Sequence, residues 1–145
     1  MRNQSTSFDR AFEEGWITEG ITEDAVDFAE KLGEHLTDSS RGFSGRDAMT
    51  TSQIRNFFGE VKRIQQKDIA NEKSAFILLR PKLAYAVARA TQRNSRNRIT
   101  VFKEIIDKAH KAVNIEGTEA DKRFQSFVDF LEAILAYHKA YGGRD

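Results

Sequence analysis

The fold class follows most directly from residues 124–138, which read FQSFVDFLEAILAYH. Apolar side chains recur there at intervals of three and four residues, which places them on one face of an α-helix. Phe130 and Tyr137 lie outside this face. Thr118 precedes the stretch and Gly142 follows it, at positions typical of a helix start and a helix end. The stretch predicts a long amphipathic helix whose inner face consists of Phe124, Phe127, Val128, Leu131, Ile134, Leu135 and His138.

The same apolar spacing predicts further helices along the chain. One starts near Thr22 and ends before Asp38, and another opens at Thr50, where Gln53 stands at capping-box spacing. A later helix starts near Asn97 and ends before residues 114–117, which read NIEG. Alternating apolar and polar residues, the pattern of a half-buried strand, are rare. An all-helical fold is therefore expected.

Pro81 is the only proline of the chain. Proline disfavours helix at the residue before it and suits the first turn of a new helix. The helical pattern that resumes near Glu72 is therefore expected to break at Pro81. A separate helix, with Leu83 and Val87 on its buried face, is expected to follow.

The chain of 145 residues is long enough for one domain with its own core. We expect an all-α, compact, single-domain bundle of about five helices, because short connections favour antiparallel neighbours. Residues 1–20 contain two glycines, and residues 38–49 are rich in serine and glycine. Both segments are expected to be mobile or loosely packed, with Phe8, Phe12, Trp16 and Ile17 forming an apolar tether.

Composition excludes several classes of protein. The chain contains no cysteine, which rules out disulfides, thiol catalysis and cysteine-ligated metal centres. No apolar run approaches the roughly 18 residues that a membrane-spanning helix needs. Residues 1–7 lack the apolar core of a signal peptide. The cytoplasm is the expected compartment, and no membrane partner is expected.

Charge is strongly segregated along a chain whose net charge is only +1. Residues 1–38 carry 3 basic and 10 acidic side chains, whereas residues 39–111 carry 16 basic and 6 acidic ones. Salt screens charges that are more than about 8–10 Å apart, so a basic region can attract a polyanion even in a nearly neutral protein. The middle of the chain is the candidate region for such binding.

The richest basic stretch is residues 80–98, which contain no acidic residue. On a helix, Lys82, Arg89, Arg93 and Arg96 stack along one side. Arginine suits bidentate contact with phosphate, so this pattern is typical of a surface that binds nucleic acid. The alternative interpretation, in which these side chains form an ordinary solvated helix surface without a binding role, remains open. A second basic group consists of Arg55, Lys62 and Arg63.

No catalytic, cofactor-binding or metal-binding set is recognisable. His35, His110 and His138 fall on separate predicted helices, without a partner at metal-ligand spacing. Phosphate-binding glycine motifs and nucleophile-elbow motifs are absent from the sequence. The histidines are expected to be satisfied in the fold or exposed, and no cofactor is expected. Tyr85 and Phe43 are candidates for base stacking, although packing is the commoner role for such residues.

Three segments resemble the small subunit of type III-A CRISPR-Cas (Csm) complexes. They are TSQIRNFF at residues 51–58, LLRPKLAYA at residues 78–86 and FVDFLEAILAYHK at residues 127–139. Each motif is short and unspecific alone, but their order and spacing agree with that family. The resemblance covers about residues 50–143.

This resemblance implies a small helical protein without catalytic residues. Several copies would stack alongside the backbone subunits and near the large subunit, where they support the guide RNA and its paired target RNA. Neighbouring copies of the chain are thus expected partners too. Together with the basic stretch, the resemblance gives these candidate RNA-binding residues: Arg55, Lys62, Arg63, Arg80, Lys82, Arg89, Arg93 and Arg96.

Two other functions remain open at this point. The first is a helical adaptor that binds protein through exposed aromatic residues, with an incidental basic stripe. The second is a small nuclease or another hydrolase, for which the sequence offers no convergent carboxylates. Salt-insensitive binding to a partner would favour the adaptor, and metal-dependent RNA cleavage would favour the hydrolase.

Overall fold

The computed structural model describes residues 4–37, 51–90 and 98–142, and all regular elements within these ranges are helical. A 3-10 helix, Ile69–Asn71, precedes the fifth α-helix. The five longer α-helices correspond to the five predicted segments, and two short ones precede them, which confirms the all-α bundle. In chain order, the α-helices of the described ranges are α1 (Gln4–Ala11), α2 (Gly15–Thr18), α3 (Glu23–His35), α4 (Thr51–Gln66), α5 (Lys73–Ala90), α6 (Ile99–Val113) and α7 (Ala120–Ala140).

Helix α7 forms the centre of the bundle, because α2, α3, α4 and α6 all pack against it. Helix α6 also packs against α1 and α5, and α5 lies beside α4. The predicted inner face of α7 is confirmed, since all of its members except the half-buried Leu135 are buried in the core. The other helices thus pack around one long helix that is apolar on its inner face.

Several helix ends lie where local chemistry places them. The Thr22 side chain accepts a hydrogen bond from the Ala25 backbone N–H at 3.2 Å and so caps the start of α3. Asn114, with φ of 51°, ends α6, and Gly142, with φ of 88°, follows α7. These left-handed conformations terminate helices and favour asparagine and glycine. The predicted capping residue Thr50 lies outside the described residues.

The predicted break at Pro81 is wrong, because α5 runs without interruption from Lys73 to Ala90 with the proline inside it. A proline within a helix costs about 3 kcal/mol. Phe76, Leu79 and Leu83 form one buried row that continues across Pro81. Burying each such side chain contributes about 1.5–3 kcal/mol, so the row offsets the cost. Pro81 itself is exposed, where water can solvate the carbonyl that its ring leaves unpaired.

Helix α7 buries a second face that the apolar spacing did not reveal. Phe130, which falls outside the predicted inner face, is only 1% exposed. Its ring lies 5.7 Å from that of Phe12, 6.0 Å from that of Phe28 and 6.2 Å from that of Trp16, measured between centroids. Aromatic residues of α2, of α3 and of the link between α1 and α2 therefore cover this side of α7.

The predicted looseness of residues 1–20 and 38–49 stays a prediction. Trp16 and Ile17 are buried in the core, which supports a packed arrangement at those two positions. Residues 38–49 lie outside the described residues. The single-domain organisation is likewise a prediction, and the shared packing on α7 supports it.

Gly33 allows α3 and α7 to approach closely. A Cβ atom at this position would lie 2.8 Å from the His138 backbone nitrogen and 3.1 Å from the Ile134 carbonyl oxygen. Those atoms belong to the backbone of α7 and cannot move aside easily. The glycine is thus required by the helix contact rather than by its own dihedral angles.

Candidate nucleic-acid interface

The structure describes six of the eight candidate RNA-binding residues and places them on two adjacent helices. Arg55, Lys62 and Arg63 lie on α4, and Arg80, Lys82 and Arg89 lie on α5. Lys62 is half-buried and the other five are exposed. The remaining two candidates, Arg93 and Arg96, lie outside the described residues.

A groove of about 530 Å³ separates α4 from α5 and is called the α4–α5 groove below. Its rim carries Lys82 and Arg89 from α5 and Gln53, Asn56 and Glu60 from α4. Polar and basic side chains therefore surround an apolar interior, as in many sites for amphipathic ligands. The apolar lining consists of Phe57, Leu79, Leu83, Ala86 and Ile99.

Two candidate residues have acidic partners within the fold. The Glu60 carboxylate lies 3.0 Å from the Arg63 guanidinium and 3.3 Å from the Lys82 ammonium. Arg63 also reaches Glu72 at 3.3 Å. Hydrogen bonding from Arg63 is the main cause that lowers the pKa of Glu60. The charges of Arg63 and Lys82 are therefore compensated within the fold, although such exposed pairs contribute little stability.

Two other candidates lie over aromatic rings of their own helix. The Lys62 ammonium is 5.8 Å from the centroid of the Phe58 ring, and the Arg89 guanidinium is 5.9 Å from that of Tyr85. A cation–π contact orients the cation without neutralising its charge. None of the ion pairs found in residues 4–37, 51–90 and 98–142 involves Lys62, Arg80 or Arg89. These three keep their charge available to an external anion.

The helix register divides the six residues among three places. Arg55 and Lys62, seven residues apart, share one flank of α4, whereas Glu60 on the opposite flank faces α5. Lys82 and Arg89, also seven apart, border the α4–α5 groove. Arg80 lies on the other side of α5, where its charge helps to lower the pKa of His110 on α6. The six described candidates thus form an interrupted basic region, in which Lys82 and Arg89 share one side of α5, as their seven-residue spacing predicts.

Arg98, the last residue of the predicted basic stretch, is internal. Its side chain is buried and donates hydrogen bonds to the backbone carbonyl of His35, with the His35 ring nitrogen Nδ1 3.0 Å away. Burial, aided by the Arg98 charge, lowers the pKa of His35 to about 4. Arg98 therefore fastens the end of α3 to the start of α6. Its spacing of four residues from the buried Phe102 was the available sequence signal.

The other histidines also serve packing. His110 is buried, stacks on the Phe76 ring at 3.9 Å between centroids, and has its Nε2 atom 2.7 Å from the Phe76 carbonyl oxygen. Burial is the main cause that lowers its pKa. His138 is fully buried in α7. Within the described ranges no three histidine, cysteine or acidic side chains are grouped so that they could hold a metal ion.

The described helices include none that is long and apolar enough to cross a membrane. The bundle therefore presents two features with a bearing on function: the basic side chains of α4 and α5, and the groove between those helices. The carboxylate of Glu60 in this groove is held by two cations.

Comparison with known proteins agrees with the resemblance found in the sequence. The family model described as Csm2 Type III-A matches residues 21–144, which is most of the chain. No curated protein and no solved structure matches the chain. The family is a structural, generally non-catalytic subunit that assembles within the Csm complex together with CRISPR RNA. The helical bundle described above thus belongs to the Csm2 Type III-A family, the small subunit of the type III-A CRISPR effector complex.

Proposed function

We propose that the chain is a non-catalytic support for RNA within the type III-A complex. Several copies stack beside the backbone subunits and hold the guide RNA and its paired target through basic side chains on α4 and α5. Base pairing between the two RNA strands reads sequence. The protein therefore needs only positive charge at suitable spacing along the phosphates.

The availability of Lys62, Arg80 and Arg89 is the observation that carries this proposal. All three lack an ion pair within the described residues, and the aromatic contacts of Lys62 and Arg89 hold those cations in place without cancelling their charge. Lys82 is a weaker candidate, because a phosphate would compete with Glu60 for it. Arg93 and Arg96 remain candidates from the sequence alone.

A single copy with so few phosphate contacts is expected to bind RNA weakly at physiological salt. Stacked copies along one RNA would raise the overall affinity, because each further contact becomes intramolecular. Binding by the isolated chain should show no preference for sequence, since phosphates are identical along the strand.

The test compares the salt dependence of RNA affinity in wild type and in Arg80→Glu/Arg89→Glu. Wild type should show a negative slope of log affinity against log salt concentration, and the variant a slope flatter by about 2, one unit for each lost phosphate contact. Lys111→Glu/Lys122→Glu is the matched control, because it makes the same charge change at exposed positions of α6 and α7. If both variants flatten the slope equally, the proposed surface is misplaced.

One observation favours a second candidate function, that of a protein-binding adaptor. Ile77, Leu78 and Tyr85 are exposed by 48%, 49% and 67% on α5. Exposed apolar groups in a cluster mark sites of protein contact. Binding of another subunit that resists high salt and survives Arg80→Glu/Arg89→Glu would support this function. The adaptor role and the RNA role are compatible within one complex.

A further inference from the structure

Helix α5 is apolar on its outer side as well as on its buried side. Ile77, Leu78 and Tyr85 are three of the four large apolar side chains that are exposed in the described residues. The other exposed members of this face are small or cyclic, so that the helix presents a continuous apolar surface. The α5 strip is defined as Ile77, Leu78, Pro81, Ala84, Tyr85 and Ala88.

Basic side chains border the α5 strip on both long sides. Lys82 and Arg89 separate it from the α4–α5 groove, and Arg80 lies on the side of α6. An occupant of the strip must therefore offer apolar surface in the middle and negative charge at its margins. Nucleic acid fits this pattern poorly, because its phosphates would meet Ile77 and Leu78.

A second surface of the same chain has the complementary properties. A groove of about 430 Å³ lies between α3 and the first two helices, with Phe8, Trp16 and Phe28 among its lining. Its rim is formed by three carboxylates and one lysine, so that it is acidic overall, and it is called the acidic groove below. The rim residues are Glu13, Asp24, Asp27 and Lys31, and Ala11 completes the lining.

We propose that the α5 strip of one copy docks into the acidic groove of the next copy. Apolar side chains of the strip meet aromatic rings in the groove, and carboxylates of its rim meet Lys82, which leaves Arg80 and Arg89 available to RNA. Opposite charge on these two regions of one chain, 3 basic and 10 acidic residues in 1–38 against 16 and 6 in 39–111, favours this pairing over contacts between like surfaces.

The two surfaces cannot satisfy each other within one molecule. Helix α5 packs on α4 and α6 through its buried side, so the strip points away from the bundle, whereas the acidic groove belongs to α1, α2 and α3. A contact between two different surfaces of identical copies is heterologous and leaves one free surface of each kind at the ends. It therefore adds copies in one direction instead of closing a dimer. This inference rests on the stacking in the proposed function and identifies the two surfaces that produce it.

The test uses two variants that each lose one surface. Ile77→Gln/Leu78→Gln disables the strip and Asp24→Lys/Asp27→Lys disables the groove, and all four positions are exposed. In sedimentation velocity, wild type should form species larger than a dimer as its concentration rises. The affinity between copies should fall by at least about tenfold in each variant alone, because desolvated contacts at an interface centre dominate the affinity.

The decisive sample is an equal mixture of the two variants. One intact strip and one intact groove remain in it, so a dimer should form and no larger species. A wild type that stays monomeric up to its solubility limit, a wild type that stops at a dimer, or a mixture that does not associate would each overturn the proposed contact.

Two controls keep this test specific. Ala136→Gln/Ala140→Gln introduces the same side chains at exposed positions of α7 that line neither surface, and should associate as wild type does. Ala84→Gln is a second, smaller change in the strip, for use if the double variant loses its helical content. The strip variants retain all basic residues of α4 and α5, and also Tyr85, which orients Arg89. Loss of association with retained single-copy RNA binding therefore separates this contact from the proposed RNA support, and a wild-type salt slope in Arg80→Glu/Arg89→Glu would overturn only the latter.

Discussion

The aromatic residues of the N-terminal region and Tyr85 on the outer side of α5 have similar chemistry and opposite surroundings. Phe12, Trp16 and Phe28 meet Phe130 in the core, whereas Tyr85 remains exposed. The difference is whether another helix lies over the ring. In the first region the rings stabilise the bundle, whereas Tyr85 is available to a partner.

The largest expected effect comes from removing one ring from each region. Phe130→Ala should lower the free energy of unfolding by about 3–5 kcal/mol, because it removes buried area and leaves a cavity. Tyr85→Ala should change it by less than about 0.5 kcal/mol, as expected for an exposed position. Urea unfolding followed by circular dichroism measures both. A destabilised Tyr85→Ala would mean that the α5 strip is part of the core.

A smaller loss of stability is expected at acidic pH, and His35, where the end of α3 meets the start of α6, should account for part of it. The folded pKa of His35 is about 4, below its ordinary value of 6.5, so the unfolded chain binds the proton more readily. The stabilisation that depends on neutral His35 is therefore fully present above about pH 6.5 and is lost as the pH falls towards 4. Because the side chain is only half-buried, we expect this loss to lower the free energy of unfolding by about 1–2 kcal/mol.

His35→Asn isolates this contribution, since asparagine retains hydrogen bonding without a titration. When both proteins are unfolded at a series of pH values, the free energy of unfolding should fall less steeply for the variant below about pH 6.5. Part of the loss should persist, because burial also lowers the pKa of His110. Parallel curves for the two proteins would contradict a neutral His35 in the fold.

The smallest change in stability, with a measurable change in binding, is expected from Glu60→Gln. This substitution leaves Arg63 and Lys82 without their shared carboxylate, and exposed pairs of this kind contribute less than about 1 kcal/mol. Lys82 then becomes available to phosphate, whereas Arg63 keeps its ion pair with Glu72. RNA affinity should rise by several-fold, with a steeper salt dependence. Unchanged affinity would indicate that the rim of the α4–α5 groove does not face RNA, and Glu104→Gln on α6 is a matched control.

Sequence patterns predicted the helical class, five main helices, the inner face of α7 and the family. They failed at Pro81, because the cost of a proline is local whereas the row of Phe76, Leu79 and Leu83 is stabilised by other helices. They also missed Phe130, whose burial depends on Phe12, Trp16 and Phe28 packing against that side of α7. Local propensity contains no information about such neighbours.

The candidate interface stays a prediction. Six of its eight basic residues lie on α4 and α5, and the other two are outside the described residues. Their pairing was not predictable, since Glu60 is 22 residues from Lys82 in sequence and 3.3 Å from it in space. Arg98 shows the same limit, because a charge count cannot separate a buried arginine from an exposed one.

By itself, the sequence determined the helical periodicity, the segregation of charge and the absence of cysteine, because these are properties of residue order and composition. Only the tertiary structure decided which charges are compensated, which aromatic residues are covered, and that an apolar strip and an acidic groove lie on different parts of one chain. The physical reason is that burial and electrostatic pairing depend on distances between segments that are remote in sequence, and packing alone sets those distances.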